Sequence, residues 1–151
     1  MQPKVRFFEH SDADGVVGIY QKFGTWFEDI GVNREFILSS AARPDFRFLV
    51  AEVDGTLLGF IGCLYQTAVG RAELGPLGVD EAYQGYGIGS ALREAMFRFL
   101  KENGIRRVFV KVKANNSKAV NFFLKEGFNY EAYLRGYTME GEDVVQMNAN
   151  V

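Results

Sequence analysis

Residues 84–89 read Gln-Gly-Tyr-Gly-Ile-Gly, and they lie between an apolar strand pattern and an amphipathic helix pattern. Three glycines at that junction narrow the choice of fold more than any other segment. A glycine-rich strand-to-helix turn lets backbone N–H groups converge, and the helix dipole adds partial positive charge at the same place. The expected ligand is a phosphate or pyrophosphate; a purely structural turn has the same spelling. Position then excludes two familiar phosphate folds. In a dinucleotide-binding repeat the glycines follow the first strand, with an acidic residue closing the second strand about twenty residues on. Here the glycines fall past the midpoint and no such acidic residue stands out. A Walker loop needs Lys-Ser or Lys-Thr after the glycines, and none is present.

The rest of the chain supplies the context for that turn. Val5–Phe8 is a short strand candidate, followed by a helix capped by Ser11 or Asp12 and running to about Phe23. Trp26 to Ser40 reads as a second, less regular helix that Pro44 closes off. Phe46–Val53 and Thr56–Gln66 are joined at Asp54-Gly55, a hairpin signal, and Ala72–Val79 continues an antiparallel meander. Pro76 inside that third strand cannot donate to a ladder, so a bulge or splaying is expected there. Ile88, Leu92, Met96 and Leu100 recur at helix spacing up to Gly104. Arg107–Val112 is a strand, Ser117–Glu126 a helix stopped by Gly127, and Tyr130–Leu134 and Val144–Met147 are closing strands. No linker or repeat divides residues 1–151, so a single domain is expected.

Composition removes whole classes of function. Charged residues at 24% and apolar residues at 48% suit a globular fold, and a net charge of −2 gives no field favouring nucleic acid or an anionic membrane. One cysteine, Cys63, and one histidine, His10, leave no disulfide framework and no His-rich metal site, so no metal is expected. No signal peptide and no membrane-length apolar run are visible; with the lone thiol this leads to a cytoplasmic expectation.

Two motifs in the second half resemble the GNAT superfamily of acyl-CoA-dependent N-acyltransferases. The family pattern of a strand, Gln/Arg-x-x-Gly-x-Gly/Ala and a helix is matched by Gln84, Gly87 and Gly89 after Leu77-Gly78-Val79-Asp80-Glu81-Ala82-Tyr83. A second family signature, Asn, Ala three residues on, an aromatic and Gly-Phe, is matched by Asn116, Ala119, Phe123 and Gly127-Phe128. The resemblance is strongest from Ala72 to Phe128 and loose before Phe46. It implies an α/β fold of mixed α+β character: a central, mostly antiparallel, splayed sheet of about seven strands flanked by about four helices. It also implies acetyl-CoA as co-substrate, its pantetheine arm lying between two parted strands. Gly75 and Pro76 suit a bulge at such a parting.

On the same resemblance the N–H groups of residues 85–90, that is Gly85, Tyr86, Gly87, Ile88, Gly89 and Ser90, hold the pyrophosphate beside Gln84. Leu77 and Val79 offer backbone groups to the pantetheine and the acetyl carbonyl, Asn116 bonds the pantetheine, and Phe123 packs against it near Ala119. Amide formation from a thioester needs a free amine, a stabilised oxyanion and a protonated leaving thiolate. Val79 N–H is the oxyanion candidate. Glu73, six residues earlier on the same strand, is the general-base candidate, with a solvated or cross-strand-paired glutamate as the alternative.

Many family members carry tyrosine where this chain has Phe123, so the acid role is unassigned: either the thiolate leaves without help, or Tyr130, Tyr133 or Tyr137 substitutes. Cys63, among Phe60, Ile61 and Leu64, reads as an inert buried thiol, and Lys111 and Lys113 as solvated or, at best, near the CoA phosphates. The tail from Tyr137 to Met147 is similar to the ending of enzymes that acetylate protein N-termini. Lys111 stands where those enzymes often have glutamate, which keeps small amines open as acceptors. Glu28, Asp29 and Glu35 could attract a cationic amine, or are ordinary helix-surface charge. A non-catalytic acyl-CoA-binding module of the same fold is the alternative function. A homodimer is expected only by analogy with the family.

Overall fold

The computed structural model describes residues 2–23 and 31–151. Its centre is a seven-stranded sheet in the order β1-β2-β3-β4-β5-β7-β6. The strands are β1 (Lys4–Phe7), β2 (Phe46–Val53), β3 (Thr56–Gln66), β4 (Arg71–Val79), β5 (Arg107–Lys113), β6 (Asn129–Leu134) and β7 (Val144–Asn150). The described helices are α1 (Ala13–Gln21), α2 (Arg34–Ala41), α3 (Ile88–Glu102) and α4 (Ser117–Lys125). Every strand pairing is antiparallel except β4 with β5. The mixed, mostly antiparallel sheet expected from the sequence is therefore observed.

Local chemistry explains the element boundaries. Asp54 and Gly55 both take positive φ, at 50° and 81°, which matches the twist of a two-residue hairpin between β2 and β3. Helix α4 ends as Gly127 turns to φ 90°, so that Gly127 N–H reaches Leu124 and Phe128 N–H reaches Phe123. The Phe123 and Phe128 rings, 5.1 Å apart, close the apolar contact that accompanies this type of stop. Helix α3 ends the same way at Gly104, with Ile105 N–H bonded to Leu100.

The start of α1 differs from expectation. Asp12 does not cap it. Its carboxylate instead takes both terminal nitrogens of Arg6, at 2.8 and 2.9 Å, and the Glu9 N–H at 2.7 Å. A buried acid next to a strand arginine gains more from that fork than from one helical N–H. Helix α2 starts at Arg34, behind an Asn33 side chain that accepts from Phe36 N–H. Trp26, Glu28 and Asp29 lie outside the described residues.

Two apolar layers cover opposite faces of the sheet. On one, α3 and α4 bury Leu92, Met96, Leu100, Val120 and Phe123 against Ile61, Leu74, Val108, Val110 and Met147. On the other, α1 and α2 bury Val16, Ile19, Tyr20 and Ile37 against Phe48, Val50 and Phe60. Each fully buried side chain of this kind contributes about 1.5–3 kcal/mol relative to exposure. Among the described residues the second layer stops at the middle of the sheet. Side chains alternate along a strand, so Glu73, Phe109 and Lys111 lie on the face opposite Leu74, Val108 and Val110. That face of β5 and β7 carries no helix among the described residues.

Candidate active site

The parallel pairing of β4 with β5 lasts three residues, Arg71 to Glu73 against Arg107 to Phe109. Beyond it the strands part: β4 runs on to Val79 paired only with β3, and β5 to Lys113 paired only with β7. The bulge expected at Pro76 is part of this. Ile61 faces Leu77 and Cys63 faces Leu74, so Gly75 and Pro76 together oppose the single residue Gly62. A Cβ on Gly62 would sit 2.7 Å from the Phe46 ring and 3.0 Å from the Gly75 carbonyl, so the bulge needs glycine across from it.

Ladder geometry settles which backbone groups face the opening. Asp80 N–H bonds to Leu58 O at 2.8 Å, so Asp80 and Gly78 turn their polar groups toward β3. The intervening residues, Leu77 and Val79, turn theirs toward the gap. Consistently, Val79 O accepts from Gln84 Nε2 at 3.1 Å rather than from β3.

Below the gap the chain makes a short 3-10 turn over Glu81–Tyr83, whose first N–H groups are organised by Asp80 Oδ1 accepting from Ala82. Lys22, just past the end of α1, holds the same carboxylate at 3.0 Å, and that bond with the Ala82 N–H keeps the Asp80 pKa below its ordinary value. Gly87 then adopts φ 80° immediately before α3. A side chain is strained in that region, and here it would also stand at the mouth of the helix. No helical turn precedes Ile88, Gly89 and Ser90, so their N–H groups lack intrahelical acceptors. Tyr86 points out of the loop, 63% exposed. Gly89 lies so close to Phe122 that a Cβ would meet the ring at 3.0 Å, which seats the start of α3 on α4. Ser90 Oγ donates to Glu126 at 2.8 Å and Arg93 Nε to its other oxygen at 2.8 Å, a clasp across the two helices that the sequence reading missed.

Asn116 caps α4, its Oδ1 accepting from Ala119 N–H at 3.2 Å. Phe123 is 4% exposed and held between Phe122 and Phe128. Its place is in the core that closes α4.

Glu73 stands at the last paired position before the strands part, and it is not alone. Lys111 Nζ lies 3.7 Å from its Oε2 and 5.4 Å from the centre of the Tyr137 ring. Burial works against the Lys111 charge, but the Tyr137 hydroxyl and Glu73 outweigh it and raise its pKa. Lys113 is buried and bonded to Glu142 at 2.9 Å. The expectation of two solvated lysines is corrected: each is drawn in by an acid from another element. Tyr133 donates to Asp143 at 2.7 Å. Tyr130 is exposed on the edge strand. Of the three tyrosines considered, Tyr137 is the one beside Glu73. Burial pushes the Cys63 thiol up to about 12, as expected of an inert cysteine.

A sheet parted at its centre, with a glycine turn and helix start below the opening, is the arrangement found across one family. The model of the acetyltransferase (GNAT) family matches residues 13–128. This chain belongs to the GNAT acetyltransferase family. An N-alpha-acetyltransferase of Sulfurisphaera tokodaii is 36% identical over 125 residues, covering 76% of this chain and 75% of that protein. N-alpha-acetyltransferase RimI of Mycobacterium tuberculosis is 32% identical over 109 residues, 70% and 67% of the two chains. A mycothiol acetyltransferase of Amycolatopsis mediterranei is 30% identical over 81% of this chain, which spans only 44% of that longer protein. Among solved structures, Ard1 from Thermoplasma volcanium superposes with a TM-score of 0.87 at 27% identity over 100% of this chain and 99% of its own. YncA from Salmonella typhimurium, crystallised with acetyl-CoA, superposes with a TM-score of 0.85 at 18% identity over 98% and 93%. The GNAT fold and an acyltransferase activity follow from these relationships.

Proposed function

We propose that this GNAT enzyme moves an acetyl group from acetyl-CoA to a primary amine by direct attack, with Glu73 as general base and Val79 N–H as oxyanion donor. The observation that carries the proposal is the parting of β4 from β5 at Glu73, with the backbone of Leu77 and Val79 turned into the gap. An extended amide-bearing arm fits such an edge as an added strand would. The residues below it fit a diphosphate: the Ile88, Gly89 and Ser90 N–H groups converge there, behind a Gly87 that keeps the approach clear. Gln84, Gly85, Tyr86, Asn116, Ala119 and Phe123 complete the acetyl-CoA side, Phe123 through the packing of α4. Acetyl-CoA supplies the thioester. Glu73 takes the proton from the amine, directly or through a water. Val79 N–H donates to the carbonyl oxygen as charge develops, which contributes about 3 kcal/mol in comparable sites. As the C–N bond is made the thioester C–S bond breaks, and CoA leaves as its thiolate, which takes up a proton from solvent.

The acceptor enters over the open face that holds Glu73, Lys111 and Tyr137. A peptide N-terminus is supported by the N-alpha-acetyltransferase relatives, and a small amine by the mycothiol acetyltransferases. Lys111 disfavours polycations at that face. The test is incubation with acetyl-CoA and a panel of short peptides, amino acids, polyamines and aminoglycosides, with products read by mass spectrometry beside Glu73→Gln. An acetylated peptide N-terminus that falls at least a hundredfold in the variant is the expected result. Acetylation unchanged in Glu73→Gln would remove the base assignment, and no acetylated product from any amine would remove the reaction.

A further inference from the structure

We infer that Lys118, on the first turn of α4, is the cation that neutralises the diphosphate of the acyl donor. The inference rests on the acetyl-CoA reading above. From Ala72 to Leu92 the chain has no lysine or arginine, while Asp80 and Glu81 border the turn. A diphosphate arriving there meets backbone dipoles and two acids, so positive charge must come from another element. Among the described residues, Lys22, Arg93 and Lys118 each make a contact at or beside this turn. Lys22 is committed to Asp80 at 3.0 Å, and Arg93 to Glu126 at 2.8 Å. Lys118 Nζ instead donates to Gln84 Oε1, a neutral amide, so its charge is not offset by that contact.

Gln84 fixes where this charge sits. Its Nε2 holds Val79 O at 3.1 Å, so the side chain stays at the foot of the gap with its oxygen toward α4. Lys118 is thereby held at the first residue of the glycine turn, on an exposed stem free to follow a ligand. A phosphate oxygen is a stronger acceptor for an ammonium than an amide carbonyl. The exchange of one for the other needs a movement of the lysine head alone. The glycine turn then supplies shape and dipoles, and α4 supplies charge.

The test is calorimetric binding, which needs no acceptor. Wild type, Lys118→Ala, Lys118→Met and Lys118→Arg are titrated with acetyl-CoA and with acetyl-dephospho-CoA, which lacks the 3′-phosphate. Loss of the charge is expected to raise Kd about tenfold for both ligands in the Ala and Met variants. Lys118→Arg should stay within about threefold of wild type. The Ala and Met variants should also show a shallower salt dependence. Equal affinity in wild type and Lys118→Ala overturns the inference and leaves the acetyl-CoA reading standing. A loss seen with acetyl-CoA and absent with acetyl-dephospho-CoA assigns the lysine to the 3′-phosphate and overturns the diphosphate contact. Failure of wild type to bind either ligand overturns the reading beneath, and the inference with it.

Discussion

Glu73 and Cys63 are the two side chains near the centre of the sheet that chemistry could recruit, and their surroundings separate them. Glu73 lies at the rim of the opening, half-exposed, with Lys111 and Tyr137 on the same face. Cys63 is fully buried, with its thiol held protonated far above neutral pH. Cys63→Ala should therefore keep kcat within about twofold, at a stability cost of about 1 kcal/mol for the lost packing. A collapse of kcat with an unchanged melting profile would instead indicate a covalent acyl-enzyme. Glu73→Gln should lower kcat by two to three orders of magnitude and leave the fold intact, measured by initial rates and thermal unfolding. The place of Glu73 on the strand before the glycine turn was legible in the sequence, and its candidacy as base came from the resemblance. Its meeting with Lys111 was not legible, since that depends on the parallel register of Glu73 with Phe109, which no local pattern encodes.

At the scale of elements, the glycine stops were readable and the caps less so. Gly127 was expected to end α4, and its φ of 90° with the Phe123–Phe128 contact shows how. Gly127→Ala should cost about 1–2 kcal/mol by forcing a side chain into the left-handed region, read as a lowered urea midpoint with unchanged slope. A neutral substitution would mean that α4 finds another way to end. Six of the seven strands were legible to within one residue at each end because alternation and the Asp54-Gly55 turn agree with the tertiary pairing, while β7 runs three residues past its expected end at Met147. Asp12 misled because an acid at a helix start usually caps, and only the antiparallel approach of Arg6 and Glu52 reveals a better partner. Phe123 raised a question of chemistry at the level of motif. In the folded chain its ring closes α4, and an aromatic without a hydroxyl serves that purpose fully.

For the whole molecule, acid is the condition that tests the carboxylate pairings together. Burial by itself works against the Asp12 charge, and the Arg6 fork with the Glu9 N–H overcomes it, so its folded pKa lies below 3.8. Arg107, then Gln146, holds exposed Glu131 down to about 2. Groups depressed on folding stabilise above their unfolded pKa, and that contribution is lost as pH falls through the folded value. Chemical unfolding should show little change from pH 7 to about 5 and a decline below about pH 4. Asp12→Asn should lower stability at pH 7 by about 2 kcal/mol and flatten the decline, because Glu131, being exposed, contributes less. A steeper decline in Asp12→Asn than in wild type would contradict this account. Sheet order and the two-layer cover emerge only at this scale. The resemblance implied a splayed, mostly antiparallel sheet of about seven strands but not its order, and the pairing of β5 with β7 across an intervening helix and strand shows why local reading stops short.

The three-pair seam between β4 and β5 has a mechanical meaning as well. Strands β1 to β4 with α1 and α2 form one plate, and β5 to β7 with α4 form another. Side by side, the plates touch along a third of β4 and less than half of β5. The plates are also joined through the core that α3 and α4 share and the hook of Ser90 and Arg93 on Glu126. Heat or force that opens this protein therefore meets its weakest line along the groove, and anything wedged there becomes a keystone that both plates lean on.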